Sequence, residues 1–177
     1  GPDGCPSKFL KLFPELCVPL CKLFNMSMDQ QEVPQAWKLA NVVPIYKGKG
    51  SKLEISNYRP ISILPCISKI TEKLMYNRLS SYFTIHNTLT SSQNGFSASS
   101  STTIVGLLVN AMNYINSAVL NNEYCIALYI DISKAFDCIN HEILLMKLEQ
   151  YGVRGIALKW FASYLELRSQ YISLNNM

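Results

Sequence analysis

Two histidines in 177 residues leave little imidazole for catalysis or metal binding. Neither joins a serine and an aspartate in a recognisable nucleophile pattern, so a hydrolase reading loses its main support. The eight glycines form neither a phosphate loop nor a dinucleotide fingerprint. Six cysteines, at 5, 17, 21, 66, 125 and 138, include no Cys-x-x-Cys pair and no zinc-finger partner. Cys17 and Cys21 fall on one helical face and read as two small buried hydrophobes rather than half a metal site. No apolar run is long enough to span a membrane, and residues 1–11 lack the apolar core of a signal peptide. Free thiols and no leader predict an intracellular protein, in cytoplasm or nucleus, with no membrane partner.

What is present describes a globular chain. Hydrophobic residues make up 49% and charged residues 16% of the sequence, far from the disordered range. A chain of this length buries roughly 70% of the surface its unfolded form exposes. The net charge of +4 permits a nucleic-acid partner without requiring one. The sequence opens on "GPDG" without methionine and stops inside an apparent strand, "YISLNNM", so a fragment is expected.

Periodicity divides the chain. Phe9, Leu12, Phe13, Leu16 and Leu20 recur at helical spacing across Pro6–Met28, and Pro14 and Pro19 predict two short helices there. Leu39 to Tyr46 is apolar, β-branched and interrupted by Pro44, which predicts an edge strand or extended segment. A basic, glycine-containing hairpin or loop follows over 47–60. Ile67, Ile70, Leu74, Met75, Tyr82 and Phe83 mark one face of a long helix. Residues 86–103 read as a polar loop, and 103–120 as a helix with Ile104, Leu108, Ala111, Ile115 and Ala118 on its stripe. Alternation over Cys125–Ile132 predicts a strand: Ile126, Leu128, Ile130 and Ile132 face a core, while Asp131 stands on the other side. Helices over 134–151 and 155–167 and a strand from about Ser169 complete an α+β order.

Few residues invite chemistry. Asp131, on the open face of a strand, could hold a hard cation such as Mg²⁺; Asp131 or Ser133 could equally cap the helix expected at Lys134. Asp137 reads as a first-turn acid favoured by the helix dipole. Lys47, Lys49, Lys52 and Arg59, with Tyr46 and Tyr58 among them, could grip a triphosphate or a nucleic-acid backbone, or form a solvated hairpin. His141 reads as a packing or hydrogen-bonding residue.

Taken in order, the segments resemble the reverse-transcriptase domain of non-LTR (LINE-type) retrotransposons. "VPQAWKLANVVPIYKGKG" is similar to that family's approach to the fingers, and "NYRPISILPCISKITEKLMYNRL" to its first polymerase block. "LTSSQNGF" resembles the second block, "LYIDISKAFDCINHEILLMKLEQYGV" the third, and "WFASYLELRSQYISLNN" the stretch beyond it. The resemblance implies a right-hand polymerase fold, with about 1–120 as fingers and about 121–177 as the start of the palm. It implies an RNA-directed DNA polymerase that adds dNTPs to a DNA primer on an RNA template. Asp131 then becomes a metal-binding catalytic aspartate, with the Ile132 carbonyl beside it and two Mg²⁺ ions in the complete enzyme. Lys47 and Arg59 match residues that contact the triphosphate, and Phe136 the aromatic that excludes a 2′-hydroxyl. Gln93 and Gly95 belong to the second block, as template-facing or structural residues.

Two departures qualify what the resemblance implies. The family's Tyr-x-Asp-Asp turn is missing, since no Asp-Asp pair occurs. Activity is therefore not expected of these 177 residues alone. Ser97 follows Phe96 where the family usually carries a basic residue, as in a decayed or domesticated copy. The alternative reading is a non-catalytic nucleic-acid-binding or interaction module.

Overall fold

The computed structural model describes residues 1–90, 104–132 and 134–173. The chain divides into two compact units: Gly1–Arg78 with Asn140–Met177, and Leu79–Ile139. The division falls inside the long third helix. Helices and sheet are mixed, in keeping with the expected α+β class.

The first unit opens with α1 (Ser7–Leu12), a 3-10 turn at Pro14–Leu16, and α2 (Cys17–Asp29). Pro14 breaks the helical stretch as expected, but Pro19 does not. Pro14 starts the short turn, and Pro19 lies in the first turn of α2, where its missing N–H costs no helical bond. Cys17 and Cys21 do share a face of α2, but both are exposed rather than buried. No disulfide joins these cysteines among the described residues.

β1 (Leu39–Tyr46) pairs antiparallel with β2 (Tyr58–Ile63) and parallel with β3 (Ser169–Tyr171). The sheet order is β2-β1-β3, so β1 is central and not the expected edge. Pro44 is nonetheless tolerated. Among the described residues β3 pairs only with Leu39 to Asn41 and gives Pro44 no ladder partner, and on the other side Pro44 faces Pro60. Neither proline can donate, and their pairing belongs at a non-hydrogen-bonded position of the ladder.

Trp160, only 2% exposed, is the centre of the core with Val33 and Trp37. It sits in α6 (Gly155–Leu165), stacks on Tyr164 at 5.7 Å and meets Phe161 edge-on at 5.5 Å. Its indole N–H donates to Ser27 Oγ at 3.0 Å, and that hydroxyl donates to the Glu32 carbonyl. Ser163 Oγ accepts from the Val33 amide (3.0 Å) and from the ammonium of buried Lys38 (3.5 Å). α3 (Cys66–Ile85) joins the same core through Ile67 and Met75, and Ser68 Oγ donates to the Trp37 carbonyl at 3.0 Å.

α5 (His141–Gln150) is shorter than the helix expected over 134–151. Its N-cap is Asn140, whose side chain accepts from the Ile143 amide at 3.1 Å. Lys134, at φ 53°, is left-handed, and residues 134–138 form a turn. Asp137 therefore lies in that turn and not in the first turn of a helix. α5 ends as its sequence dictates: Gly152 takes φ 93°, its amide bonds the Glu149 carbonyl, and the Val153 amide reaches Leu148. The buried pair Leu148 and Val153 closes this cap.

In the second unit, α4 (Ile104–Leu120) forms where expected, but its stripe does not make a core: Leu108 and Ile115 are exposed. The strand expected over 125–132 is absent. The segment forms no regular element, with Ile126 93% and Leu128 83% exposed. Among the described residues no strand lies against it, and alternation without a ladder partner yields only an exposed chain. No helix among the described residues is long and apolar enough to cross a membrane.

Tyr164 ties α6 to α3 by donating to Glu72 Oε1 at 2.6 Å, with the Arg168 guanidinium 4.6 Å over its ring. Burial first, then the bond to and charge of Glu72, push its phenol from 10 up to about 12. The fold thus favours the protonated phenol, a contribution fully present below pH 10 and lost as pH rises through about 12. Tyr164→Phe is expected to flatten the fall of the melting temperature across this window. An unchanged alkaline profile in circular-dichroism melts would remove Tyr164 from that role.

Candidate functional site

The β1–β2 hairpin is a self-braced loop carrying four cations. The ladder ends with the Lys47 amide donating to the Asn57 carbonyl at 2.8 Å. Gly48 and Gly50 then take φ 79° and 80°, a region side chains rarely enter. At Gly50 a Cβ would also lie 2.5 Å from the Asn57 side chain, so the position demands glycine. Asn57 Nδ2 donates to the Ser51 carbonyl (2.8 Å) and to Glu54 Oε2 (3.1 Å), pinning the loop from inside. The hydroxyl of Tyr46 reaches the Gly50 carbonyl, and that of Tyr58 the Lys52 carbonyl at 2.9 Å. The two rings lie 5.5 Å apart, and Lys52 Nζ stands 5.8 Å above Tyr46.

Lys47 spends one of its three donors inside this frame, on the Ser56 carbonyl at 2.6 Å. Lys49, Lys52 and Arg59 are exposed, and no carboxylate pairs with them among the described residues. Glu54, the one acid between 47 and 59, is engaged by Asn57. The loop is thus a fixed frame with unneutralised positive charge. Such a frame suits phosphate oxygens, because little ordering remains to be paid on binding.

Asp131 and Ile132 lie on the exposed, irregular segment before the 134–138 turn. The cap of α5 is Asn140, so Asp131 caps no helix there. Among the described residues no group of three or more His, Cys, Asp or Glu side chains comes together. The Asp131 carboxylate and the Ile132 carbonyl are oxygen donors of the kind a hard cation takes, but they fill only part of its shell. Phe136 sits in the turn, 78% exposed. His141 opens α5 and is exposed, not packed. Lys47 and Arg59 belong to the first unit, Asp131 and Phe136 to the second. Gln93, Gly95 and Ser97 lie outside the described residues.

Sequence reasoning passed over two features. Ser27 and Ser163, the hydroxyls that join α2, the β1 approach and α6, carry no sequence signal beyond their small size. Asn41 does carry one, as the single polar side chain in "LANVVPIY". Its Oδ1 is buried and has no hydrogen-bond partner.

Residues 45–176 match the family described as reverse transcriptase (RNA-dependent DNA polymerase). The chain belongs to this family. Among its relatives is the RNA-directed DNA polymerase from mobile element jockey of Drosophila melanogaster, 30% identical over 99% of this chain. The probable RNA-directed DNA polymerase from transposon BS of the same fly is 32% identical over 99% of the chain. That of transposon X-element, also from this fly, is 34% identical over 85%. The chain spans 19% of the jockey and BS proteins and 16% of the X-element protein, about a fifth of their length. Reverse transcriptases generally use divalent metal ions, with RNA template, primer and dNTPs as substrates.

The Lys47–Ser56 bond makes a local stability claim. Lys47→Met is expected to raise amide hydrogen exchange at positions 47 and 57 about fivefold, since such a bond is worth about 1 kcal/mol. Exchange rates equal to those of the parent chain would mean that the ammonium does not brace the loop.

Proposed function

We propose that this chain carries part of an RNA-directed DNA polymerase of a non-LTR retrotransposon, the enzyme that adds dNTPs to a primer 3′-hydroxyl on an RNA template. The reading is carried by the family match across 45–176, together with relatives named as RNA-directed DNA polymerases. In this reading the fold is that of a right-hand polymerase, with about 1–120 as fingers and about 121–177 as the start of the palm.

Each residue role is the one the family resemblance implies, and the chemistry of the residue agrees with it. Arg59 offers a planar fork to phosphate oxygens, and Lys47 offers the donors that Ser56 leaves free. Both would hold the triphosphate in line for attack, which is most of what a protein contributes to phosphoryl transfer. Asp131 and the Ile132 carbonyl would hold Mg²⁺. The ions, two of them in the complete enzyme, supply activation of the 3′-hydroxyl and neutralisation of the leaving pyrophosphate. One carboxylate suits one ion, so the second needs a carboxylate that does not gather with Asp131 among the described residues. That shortage favours the second reading, a non-catalytic nucleic-acid-binding module, for the 177 residues taken alone. Phe136 would lie against the sugar and exclude a 2′-hydroxyl, and Gln93 and Gly95 would face the template or shape its loop.

In an active polymerase containing this segment, Asp131→Asn is expected to lower nucleotide addition by about a thousandfold with an unchanged melting temperature. Addition at the parent rate would refute the metal assignment. Phe136→Val is expected to raise incorporation of rNTPs relative to dNTPs on the order of tenfold, the scale of a changed apolar contact. Sugar selectivity that stays the same would sink the gate.

A further inference from the structure

Residues 126–132 combine features that a folded chain rarely leaves in water. Ile126, Leu128, Ile130 and Ile132 alternate with Ala127, Tyr129 and Asp131, and all seven are exposed, Tyr129 at 86%. β-Branched and aromatic residues make up most of the run, and it contains neither proline nor glycine. Its only charge is Asp131. The three-stranded sheet belongs to the other unit and takes no strand from here, and among the described residues no strand pairs with this segment. Backbone N–H and C=O groups without a ladder, beside alternating apolar side chains, are a template for another strand.

The residues themselves decide which strand fits. Paired antiparallel with an identical segment about Tyr129, Ile126 falls opposite Ile132, Leu128 opposite Ile130, and Ala127 opposite Asp131. Every Ile and Leu then lies on one face, and the two Tyr129 rings meet on the other as an aromatic cross-strand pair. The two Asp131 carboxylates stand four residues apart along the ribbon, roughly 14 Å, beyond the screening length at physiological salt. Parallel pairing in register would instead set Asp131 directly on Asp131, and like charges so placed are destabilising. A strand of other sequence has to match this pattern by chance, whereas a second copy matches it by symmetry, as in any isologous contact. We infer that copies of this chain join through residues 126–132, in antiparallel register about Tyr129. The inference concerns association between copies and goes beyond the polymerase reading, and neither depends on the other.

Sedimentation velocity of the 177-residue chain over a concentration series tests this. The parent is expected to form species larger than its 20.0 kDa monomer as concentration rises. Leu128→Lys puts a charge on the apolar face and is expected to weaken association about tenfold, the scale of one large apolar side chain kept from burial. Ala127→Lys, one residue away on the opposite face, is expected to strengthen it about threefold, because each new ammonium faces Asp131 of the other copy. That gain is expected to vanish in high salt. Val119→Lys, at another exposed apolar residue of the same unit, is the control and is expected to associate as the parent does. All three positions are exposed, so none of the substitutions reaches the core, and circular-dichroism melting checks that each variant is folded. A parent that stays monomeric throughout the series overturns the inference. So does parent-like association in Leu128→Lys, or an equal loss in Val119→Lys, which places the contact elsewhere. Weaker association in Ala127→Lys overturns it through its register. None of these failures touches the polymerase assignment, which rests on the family match.

Discussion

The bond between the Trp160 indole and Ser27 joins parts of the chain 133 residues apart, and the first unit depends on it. Closing so long a loop costs conformational entropy that one hydrogen bond worth about 1 kcal/mol does not repay. Burial of the indole repays more, since truncating a core aromatic costs about 3–5 kcal/mol. Further bonds then follow in register along the same seam. The Val33 amide reaches Ser163, Gln35 Nε2 reaches the Leu167 carbonyl, and the Ser169 amide reaches the Lys38 carbonyl. The last of these starts the parallel pairing of β3 with β1. Anchoring Trp160 is thus what gives β1 a second neighbour and places Tyr171 next to Asn41.

Buried Lys38 shows how tight this seam is. Its ammonium lies under the surface with a hydroxyl as its acceptor instead of a carboxylate. Burying a charge on so little support costs free energy, and the packing of the core around Trp37 and Trp160 has to offset it. The hairpin is organised in the opposite way. Its bonds are local, its tyrosines are partly open, and its charges face water. The core spends stability to fix geometry, whereas the loop keeps its charge available for a ligand.

Much of this was legible in the sequence, and what was not has a common cause. The break at Pro14, the glycines of the 47–60 hairpin, the Gly152 stop and the periodicity of α3 and α4 are local signals, and the elements they announce are present. The central position of β1 was hidden because its second partner comes from residue 169 onward. The start of α5 was placed too early because Lys134 adopts a left-handed conformation that no neighbouring residue type announces, and Asn140 is the true cap. Cys17, Cys21, Leu108 and Ile115 occupy their expected faces but are exposed, since periodicity identifies a face and says nothing about what covers it.

The segment around Asp131 follows the same logic. Ile126, Leu128 and Ile130 alternate with Ala127 and Tyr129 as a half-buried strand would, yet a strand is a relation between two segments and not a property of one. A carboxylate becomes a metal ligand when its backbone is held and a second oxygen donor is brought to it. Under the polymerase reading, the hairpin would do the equivalent for phosphate within thirteen residues, from Lys47 to Arg59. Under the polymerase reading, the phosphate-holding part of the machinery is therefore built from neighbours in sequence, and the metal-holding part from partners that must come from elsewhere. The first is formed here, braced by its own side chains. The second is an exposed run of mostly apolar residues ending in Asp131, with no strand paired to it among the described residues.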